Sequence, residues 1–309
     1  MEKFNRRRLV QTIIGAASLG PSCVLGQTQS PKTRLILLGT AGGPSPKKTR
    51  AAPSQVILSH NTAYVVDCGN GIARQLAMAN VPLGTLRHLF LTHHHSDHNA
   101  DYGTLLLLAW ASGLQTPVDT WGPPPLARIT KLFFEMSKSD RQVREVDEGR
   151  PPLPPLVHPH ELTGSGLVMM DQNLQVQCAL VNHPLVKPAL AYRFDAPDRS
   201  IVISGDTTRS PNLIALARGA DVLVHEVIYT PAVDQMVGSG SPNLKKHLLE
   251  SHTPLTEVGK IAAEAKVKTL VLSHFVPAET PPVPESEWLR GAAAHFGGRI
   301  IVARDLMEI

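Results

Sequence analysis

The chemistry of this chain is concentrated in Thr92-His93-His94-His95-Ser96-Asp97-His98. The pattern His-x-His-x-Asp-His sets four metal-ligating side chains, His93, His95, Asp97 and His98, within six residues. Imidazole suits zinc and its neighbours, and a carboxylate binds one ion or bridges two. Four ligands so close together cannot easily all reach one tetrahedral ion that also takes distant ligands. The spacing therefore favours two adjacent metals, with His93 and His95 serving one and Asp97 and His98 the other. A histidine cluster can instead be a surface patch or an incidental metal scavenger. The aspartate argues against that here, as does the apolar run Leu86–Leu91, which reads as a short buried strand feeding the cluster.

Further candidate ligands stand just past other strand-like runs, where loops gather into sites. His183 follows Leu180-Val181-Asn182, and Asp206 follows Ile201-Val202-Ile203-Ser204-Gly205. His225 follows Val222-Leu223-Val224, and His274 follows Leu270-Val271-Leu272-Ser273. One such placement means little; its recurrence beside the loop at His93 is a joint signal.

The elements that must position these residues are legible as periodicity and turn chemistry. Strands are expected over Thr33–Leu38, Gln55–Ser59, Thr62–Val66, Leu86–Leu91 and Val118–Trp121, with helices over Ile72–Ala79, Tyr102–Ser112 and Leu126–Met136. Asp140–Pro159, charged and then proline-rich, reads as a surface loop. The second half repeats the pattern. It has strands over Leu174–Val181, Ala189–Phe194, Ser200–Ser204, Val222–His225, Thr269–Ser273 and Ile300–Val302, and helices over Ile214–Arg218 and Pro254–Ala265. Two halves, each with strands and then helices, imply two sheets packed together and covered outside by helices.

The chain resembles the metallo-β-lactamase superfamily, in particular its tRNase Z and arylsulfatase branch. The resemblance runs from about Arg34 to Asp305. It rests on Leu38-Gly39-Thr40-Ala41-Gly42-Gly43-Pro44, Val66-Asp67-Cys68-Gly69-Asn70-Gly71, the His-x-His-x-Asp-His loop and the isolated His183. Ser204-Gly205-Asp206-Thr207, His225-Glu226, Ser251-His252-Thr253-Pro254 and Leu272-Ser273-His274-Phe275 complete it. The resemblance implies an α/β fold, an αββα sandwich of two mixed β-sheets flanked by helices. It implies that His93, His95 and His183 hold a first divalent metal, that Asp97, His98 and His274 hold a second, and that Asp206 bridges them, with zinc the best fit and manganese or iron compatible. Two cations sharing a carboxylate and a water lower that water's pKa, which makes Asp97 and its neighbours part of the catalytic apparatus. The resemblance makes His252 the general acid for the leaving group and Glu226 its orienting partner. Asp67 is expected to accept a hydrogen bond from a metal-bound imidazole. His225 is either a group supporting a metal ligand or a core histidine at a strand end, His94 lies in the motif at a non-ligand position, and His60, His88, His158, His160, His247 and His295 read as ordinary.

The reaction expected from these features is hydrolysis of a small ester, an aryl sulfate or a phosphodiester, in an arylsulfatase- or phosphodiesterase-like enzyme. A β-lactam or lactone is the alternative substrate. A non-catalytic metal-binding protein would have lost a ligand or the acid, and all are present. Processing of tRNA 3′ ends is disfavoured at this level, because only the 22 residues from Pro184 to Gly205 separate His183 from Asp206. No tRNA-gripping arm of the tRNase Z kind fits in that interval. Charge agrees with a small-molecule substrate and no nucleic acid. The formal net charge of the 309-residue chain is +4, and Lys3, Arg6, Arg7 and Arg8 against Glu2 account for +3 of it. About +1 is left for the remainder, and phosphate contacts dominate RNA affinity.

Residues 1–26 hold Arg6-Arg7-Arg8 before a mildly apolar run, Leu9 to Leu25, and read as a twin-arginine export signal cleaved near Gly26. A periplasmic or secreted hydrolase domain over 27–309 is then expected, with no stable membrane span and, by resemblance, a homodimer. Cys68 and Cys178 would be a disulfide pair or two buried free thiols.

Overall fold

Val, Ile and Leu run almost unbroken through the central strand segments, as in Leu35-Ile36-Leu37-Leu38 and Leu270-Val271-Leu272, and such runs are buried on both faces, one against the other sheet and one beneath helices. The computed structural model of the protein describes residues 33–238 and 242–309, so the expected export signal lies outside the described residues. The strands are β1 (Thr33–Gly39), β2 (Ser54–Ser59), β3 (Thr62–Val66), β4 (Leu86–Phe90), β5 (Val118–Gly122), β6 (Val157–Glu161) and β7 (Gly166–Met170), then β8 (Gln175–Leu180), β9 (Leu190–Asp195), β10 (Ser200–Ile203), β11 (Val222–Ile228), β12 (Thr269–Val276), β13 (Arg299–Val302) and β14 (Met307–Glu308). The helices are α1 (Ile72–Met78), α2 (Ser96–Asn99), α3 (Tyr102–Ala111), α4 (Leu126–Met136) and α5 (Lys138–Asp147), then α6 (Pro211–Leu216), α7 (Val233–Val237), α8 (Pro242–Ser251), α9 (Leu255–Ala265) and α10 (Glu285–Ala293).

Two seven-stranded mixed sheets result, in the orders β14-β1-β2-β3-β4-β5-β6 and β13-β12-β11-β10-β9-β8-β7. Each sheet joins antiparallel strands to a run of parallel ones. β3-β4-β5-β6 pair in parallel in the first sheet, and β10-β11-β12-β13 in the second. The facing sides share one core in which Leu35, Tyr64, Phe90, Tyr192, Phe194 and Phe275 are fully or almost fully buried. The Phe90 ring meets Tyr192 and Phe194 edge-on, at centroid distances of 5.3 and 5.2 Å. A second cluster, with Val65, Leu89, Leu105 and Trp110, fills the space between the first sheet and its helices. Burying side chains of this size is worth about 1.5–3 kcal/mol each. Ligand sites in open α/β sheets lie at the carboxyl ends of parallel strands, and here candidate site residues follow β4 and β10 directly and stand in the carboxyl-terminal halves of β11 and β12.

Several sequence expectations need correction. Lys138–Asp147 is helix α5, not loop. Its charges pair at helical spacing, Arg144 with Asp140 at 3.1 Å and with Glu148 at 2.8 Å, so a polar run that looked like a loop is a solvent-facing helix. Val157–Glu161 is the edge strand β6, where a proline is tolerated. Strand β7 and helices α8 and α10 had no sequence expectation behind them. Trp110 packs in the core, with its indole N–H donating to Pro151 O at 2.7 Å. Cys68 and Cys178 are buried free thiols in different core clusters. No helix of the described residues is long and apolar enough to cross a membrane.

Candidate metal centre

Strand β4 ends at Phe90, and Thr92 is held by Asp67 at the end of β3. Asp67 Oδ1 accepts the Thr92 N–H at 2.8 Å, and the Thr92 hydroxyl lies 3.0 Å from Oδ2. Asp67 itself stands at φ 59°, a left-handed conformation that a short polar side chain tolerates and that turns its carboxylate under the loop. Helix α2 then presents Asp97 and His98 one turn beyond His93 and His95. From the other sheet, the loop after β8 delivers His183 and the turn after β10 delivers Asp206. Gly205 in that turn has φ +59°, and a Cβ there would sit 2.7 Å from Leu190 O, so the close approach of the two backbone segments requires glycine.

His274 arrives differently from the strand-end position expected for it. It lies inside β12, whose pairing with β11 steps from Glu226↔Ser273 to Val227↔Phe275. His274 is the extra residue of a β-bulge, at φ 47°. Bulges beside functional sites re-aim a side chain, and this one swings an imidazole out of the strand's alternation and into the cluster. Gly42 leaves the room: a Cβ on it would lie 2.9 Å from His274 Cε1.

These side chains converge. His93, His95, His183 and Asp206 have potential ligand atoms within 4.8 Å of one another, as do Asp97, His98 and His274. Asp206 faces both sets. Its Oδ2 is 3.9 Å from His93 Nε2, while its Oδ1 is 3.3 Å from His98 Nε2 and 3.2 Å from His274 Nε2. Asp97 Oδ2 is 3.4 Å from His274 Nε2 and accepts the Gly43 N–H at 3.0 Å.

The ring tautomers are fixed by what lies behind each imidazole. The Asp67 carboxylate, an acceptor only, takes the His98 Nδ1–H at 2.8 Å. The Thr92 hydroxyl, already committed as donor to Asp67, accepts the His93 Nδ1–H at 3.0 Å. Ser251 O accepts the His183 Nδ1–H at 3.2 Å. All three rings therefore turn an Nε2 lone pair inward. Those lone pairs meet other ring nitrogens: His93 Nε2 lies 3.1 Å and His183 Nε2 3.2 Å from His95 Nδ1, and His98 Nε2 lies 3.2 Å from His274 Nε2. The edge of a tetrahedron with metal–nitrogen arms of ~2.0–2.1 Å is about 3.3 Å. Converging lone pairs at that spacing, with the buried Asp206 Oδ1 lacking any hydrogen-bond partner, fit divalent metal.

Electrostatics agree with ligand protonation states at His93, His183 and Asp206 but not at His98: burial opposes its imidazolium, yet the carboxylates of Asp206, Asp67 and Asp97 push it well above the usual histidine range, so a metal there would have to displace the Nε2 proton. Burial, with neighbouring imidazoles, holds His93 well below the usual histidine range and His183 down at about 4, so both are neutral donors. Burial would raise the Asp206 carboxyl, but His274, His98 and His93 overcome it and keep the group ionised.

Behind the cluster, His252 and Glu226 form a buried pair, with His252 Nδ1 3.3 Å from Glu226 Oε2 and 3.9 Å from Asp206 Oδ2. Glu226 Oε1 accepts the Thr253 N–H at 2.7 Å, which locks the carboxylate beside the ring. Burial opposes the imidazolium, yet Glu226, then Asp206 and Asp97, push the His252 pKa up to about 9. His225 stands apart: it is fully buried in β11 and donates from Nδ1 to Glu226 O at 2.6 Å. His94 turns away to Pro123 O at 2.7 Å. Trp110 and Trp121 do not line the cleft. A cavity of about 320 Å³ opens over the cluster, bounded by His95, Asp97, Asp206, His252 and His274 and, on one side, by Met236, Leu244, His247 and Leu248. His247, read as ordinary from the sequence, therefore faces the site; its four-residue spacing from Ser251 on one helix face was the available signal.

A two-sheet sandwich with a His/Asp cluster of this kind at one edge defines a metal-dependent hydrolase that binds divalent metal. A family described as the beta-lactamase superfamily domain matches residues 62–275. Ribonuclease Z of Mycobacterium bovis is 33% identical over 279 residues, 89% of this chain and 97% of the relative, and ribonuclease Z of Mycobacterium sp. (strain KMS) is 34% identical over 278, covering 89% and 95%. Among solved structures, the metallo-β-lactamase fold protein YhfI of Bacillus subtilis superposes with TM-score 0.67 at 19% identity, covering 90% of this chain and 98% of its own. The short form of human tRNase Z (ELAC1) superposes with TM-score 0.65 at 22% identity, covering 89% and 98%. The chain belongs to the metallo-β-lactamase superfamily, in its tRNase Z branch.

These relatives overturn two expectations: the small-ester substrate, aryl sulfate or otherwise, and the exclusion of nucleic acid. The missing arm was the wrong criterion, because the aligned span takes up 97% of a relative called ribonuclease Z. Net charge misled too. Cation placement matters more than the sum, and Lys47, Arg50 and Arg74 line a second cavity of about 240 Å³ that shares Asp97 with the first.

Proposed function

We propose that this protein is a ribonuclease Z-type endonuclease, hydrolysing a phosphodiester bond in tRNA. The observation that carries the reading is the near full-length match to ribonuclease Z relatives, and the convergence of seven ligand side chains beside a buried His–Glu pair supports it. In this reading His93, His95 and His183 would hold one ion and Asp97, His98 and His274 another, with Asp206 within reach of both sets. The imidazole-rich set suits zinc best. The chemistry such ions would supply when bound is an activated water and neutralisation of charge on the phosphate. His252, an imidazolium at neutral pH, gives its proton to the alkoxide that leaves when the P–O bond breaks, and Glu226 orients the ring and keeps it charged. Lys47 and Arg74, at the rim of the cavity beside Asp97, meet the polyanionic backbone.

The test is incubation of the purified, metal-loaded protein with a precursor tRNA carrying a 3′ extension. The expected result is one endonucleolytic cut, abolished by chelation and by His252→Ala. Intact RNA under conditions where the protein holds its metals overturns the proposal. The reading of residues 1–26 as an export signal stands as a proposal of its own, read by amino-terminal sequencing of the protein from cell fractions. An intact Met1 start on a cytoplasmic protein would refute it.

A further inference from the structure

We propose that His247 is a substrate-binding residue. Its ring edge meets the nucleotide next to the cleaved phosphodiester, and the wall of Met236, Leu244 and Leu248 seats that nucleotide's base. The inference rests on the ribonuclease reading above and assigns this face of the cleft to one nucleotide.

His247 sits on α8 with its ring centroid 5.8 Å from that of His95, 6.2 Å from His183 and 6.1 Å from His252. It is thus a further imidazole over the cluster, but it belongs to none of the groups whose ligand atoms converge. Its Nδ1 is tied to the Ser251 hydroxyl at 3.2 Å, and Ser251 O in turn takes the His183 Nδ1–H. One residue thereby orients both rings. The remaining nitrogen, Nε2, has no hydrogen-bond partner among the described residues, and His247 borders the cavity over Asp206 and His252.

The rest of that wall is aliphatic. Leu244, 44% exposed, presents an apolar surface to the opening, and Leu248 and Met236 pack behind it on Ile228, Val233 and Val276. The cleft therefore has a charged floor, one polar ring edge and an apolar side. A nucleotide has the same order: phosphate, ribose hydroxyls, then a flat base with a π-face. At about 320 Å³ the cavity lies at the small end of the ~300–1,000 Å³ typical of small-molecule sites, which suits one nucleotide of a splayed single strand and not a duplex.

The experiment measures binding of cytidine 5′-monophosphate to the metal-loaded protein by calorimetry, alongside metal content. His247→Ala is expected to weaken the nucleotide about tenfold or more, the loss of one hydrogen bond to a charged or polar group, with metal content unchanged. His247→Gln, which keeps an N–H donor, is expected to recover part of that loss. Leu244→Ala is expected to weaken cytidine 5′-monophosphate but not ribose 5-phosphate, which has no base. Equal nucleotide affinity in His247→Ala and the parent overturns the proposal, as does loss of metal from His247→Ala, which would make the residue structural. If the parent protein leaves tRNA intact yet binds the nucleotide through His247, the ribonuclease reading fails and His247 remains a nucleotide-binding residue of a different reaction.

Discussion

His93, His95, Asp97 and His98 come from one short stretch after β4, whereas His183, Asp206 and His274 come from three separate segments of the second sheet. The first group is placed by local geometry: a strand end, an extended residue at His95 and one turn of helix fix all four side chains once Asp67 has anchored Thr92. The second group is placed by sheet architecture. Parallel strands β10, β11 and β12 lie side by side, and only their pairing register brings Asp206, Glu226 and His274 to one edge. The loop therefore supplies ligands at low cost in chain order, while the second sheet decides whether they have partners.

That contrast can be broken at its centre. Asp206→Ala removes the carboxylate that faces both ligand sets and leaves several imidazoles converging without charge compensation. It should lose both metals by elemental analysis and lower activity by at least about 1,000-fold. Retention of both ions would show that the loop half holds metal without the sheet half. His252→Ala should keep its metals and lose kcat by about 10²–10⁴-fold, the scale of general acid catalysis. An equal loss of metal would make His252 a ligand, as its place in a group with Asp206 and His274 permits. Asp67→Asn tests the loop half from behind, and a 10–100-fold weaker metal affinity is expected from a lost supporting carboxylate.

Glu226→Gln should act through pH. The His252 pKa, pushed up to about 9, lies above the ordinary ~6.5. The stabilisation this pairing gives is complete below the ordinary value and is lost as pH rises through about 9. Activity that depends on the protonated ring must fall over the same alkaline limb. With the carboxylate gone, that limb in the pH–rate profile should move down towards the ordinary value. An unmoved limb would mean that another group sets it. The smallest effect belongs to His94→Ala: it sits inside the motif but bonds only Pro123 O and Asn99, so about 1 kcal/mol of stability and no metal should be lost.

The legible parts of the chain are those with short-range signals. The long central strands and helices α1, α3, α4 and α9 follow apolar periodicity and turn chemistry, with boundaries shifted by one to three residues. Elements α5, β6, β7, α8 and α10 escaped because their side chains are charged, interrupted by proline or mostly exposed, so pattern alone did not separate them from loop. The cost was functional in one case: without α8, His247 had no face to belong to.

By itself, the sequence singled out the loop donors, because His-x-His-x-Asp-His within six residues is chemistry that needs no long-range contact to be recognised. It determined the sandwich too, since two runs of buried strands have few ways to cover their faces. Only the tertiary structure decided that His274 enters the site from a bulge and that Asp206 turns one oxygen to each ligand set. It alone set Glu226 against His252 and His247 over the cleft. Asp206, Glu226 and His274 depend on the register between strands distant in sequence, where a shift of one residue would point a strand side chain to the opposite face, and His247 depends on where α8 packs over the cleft.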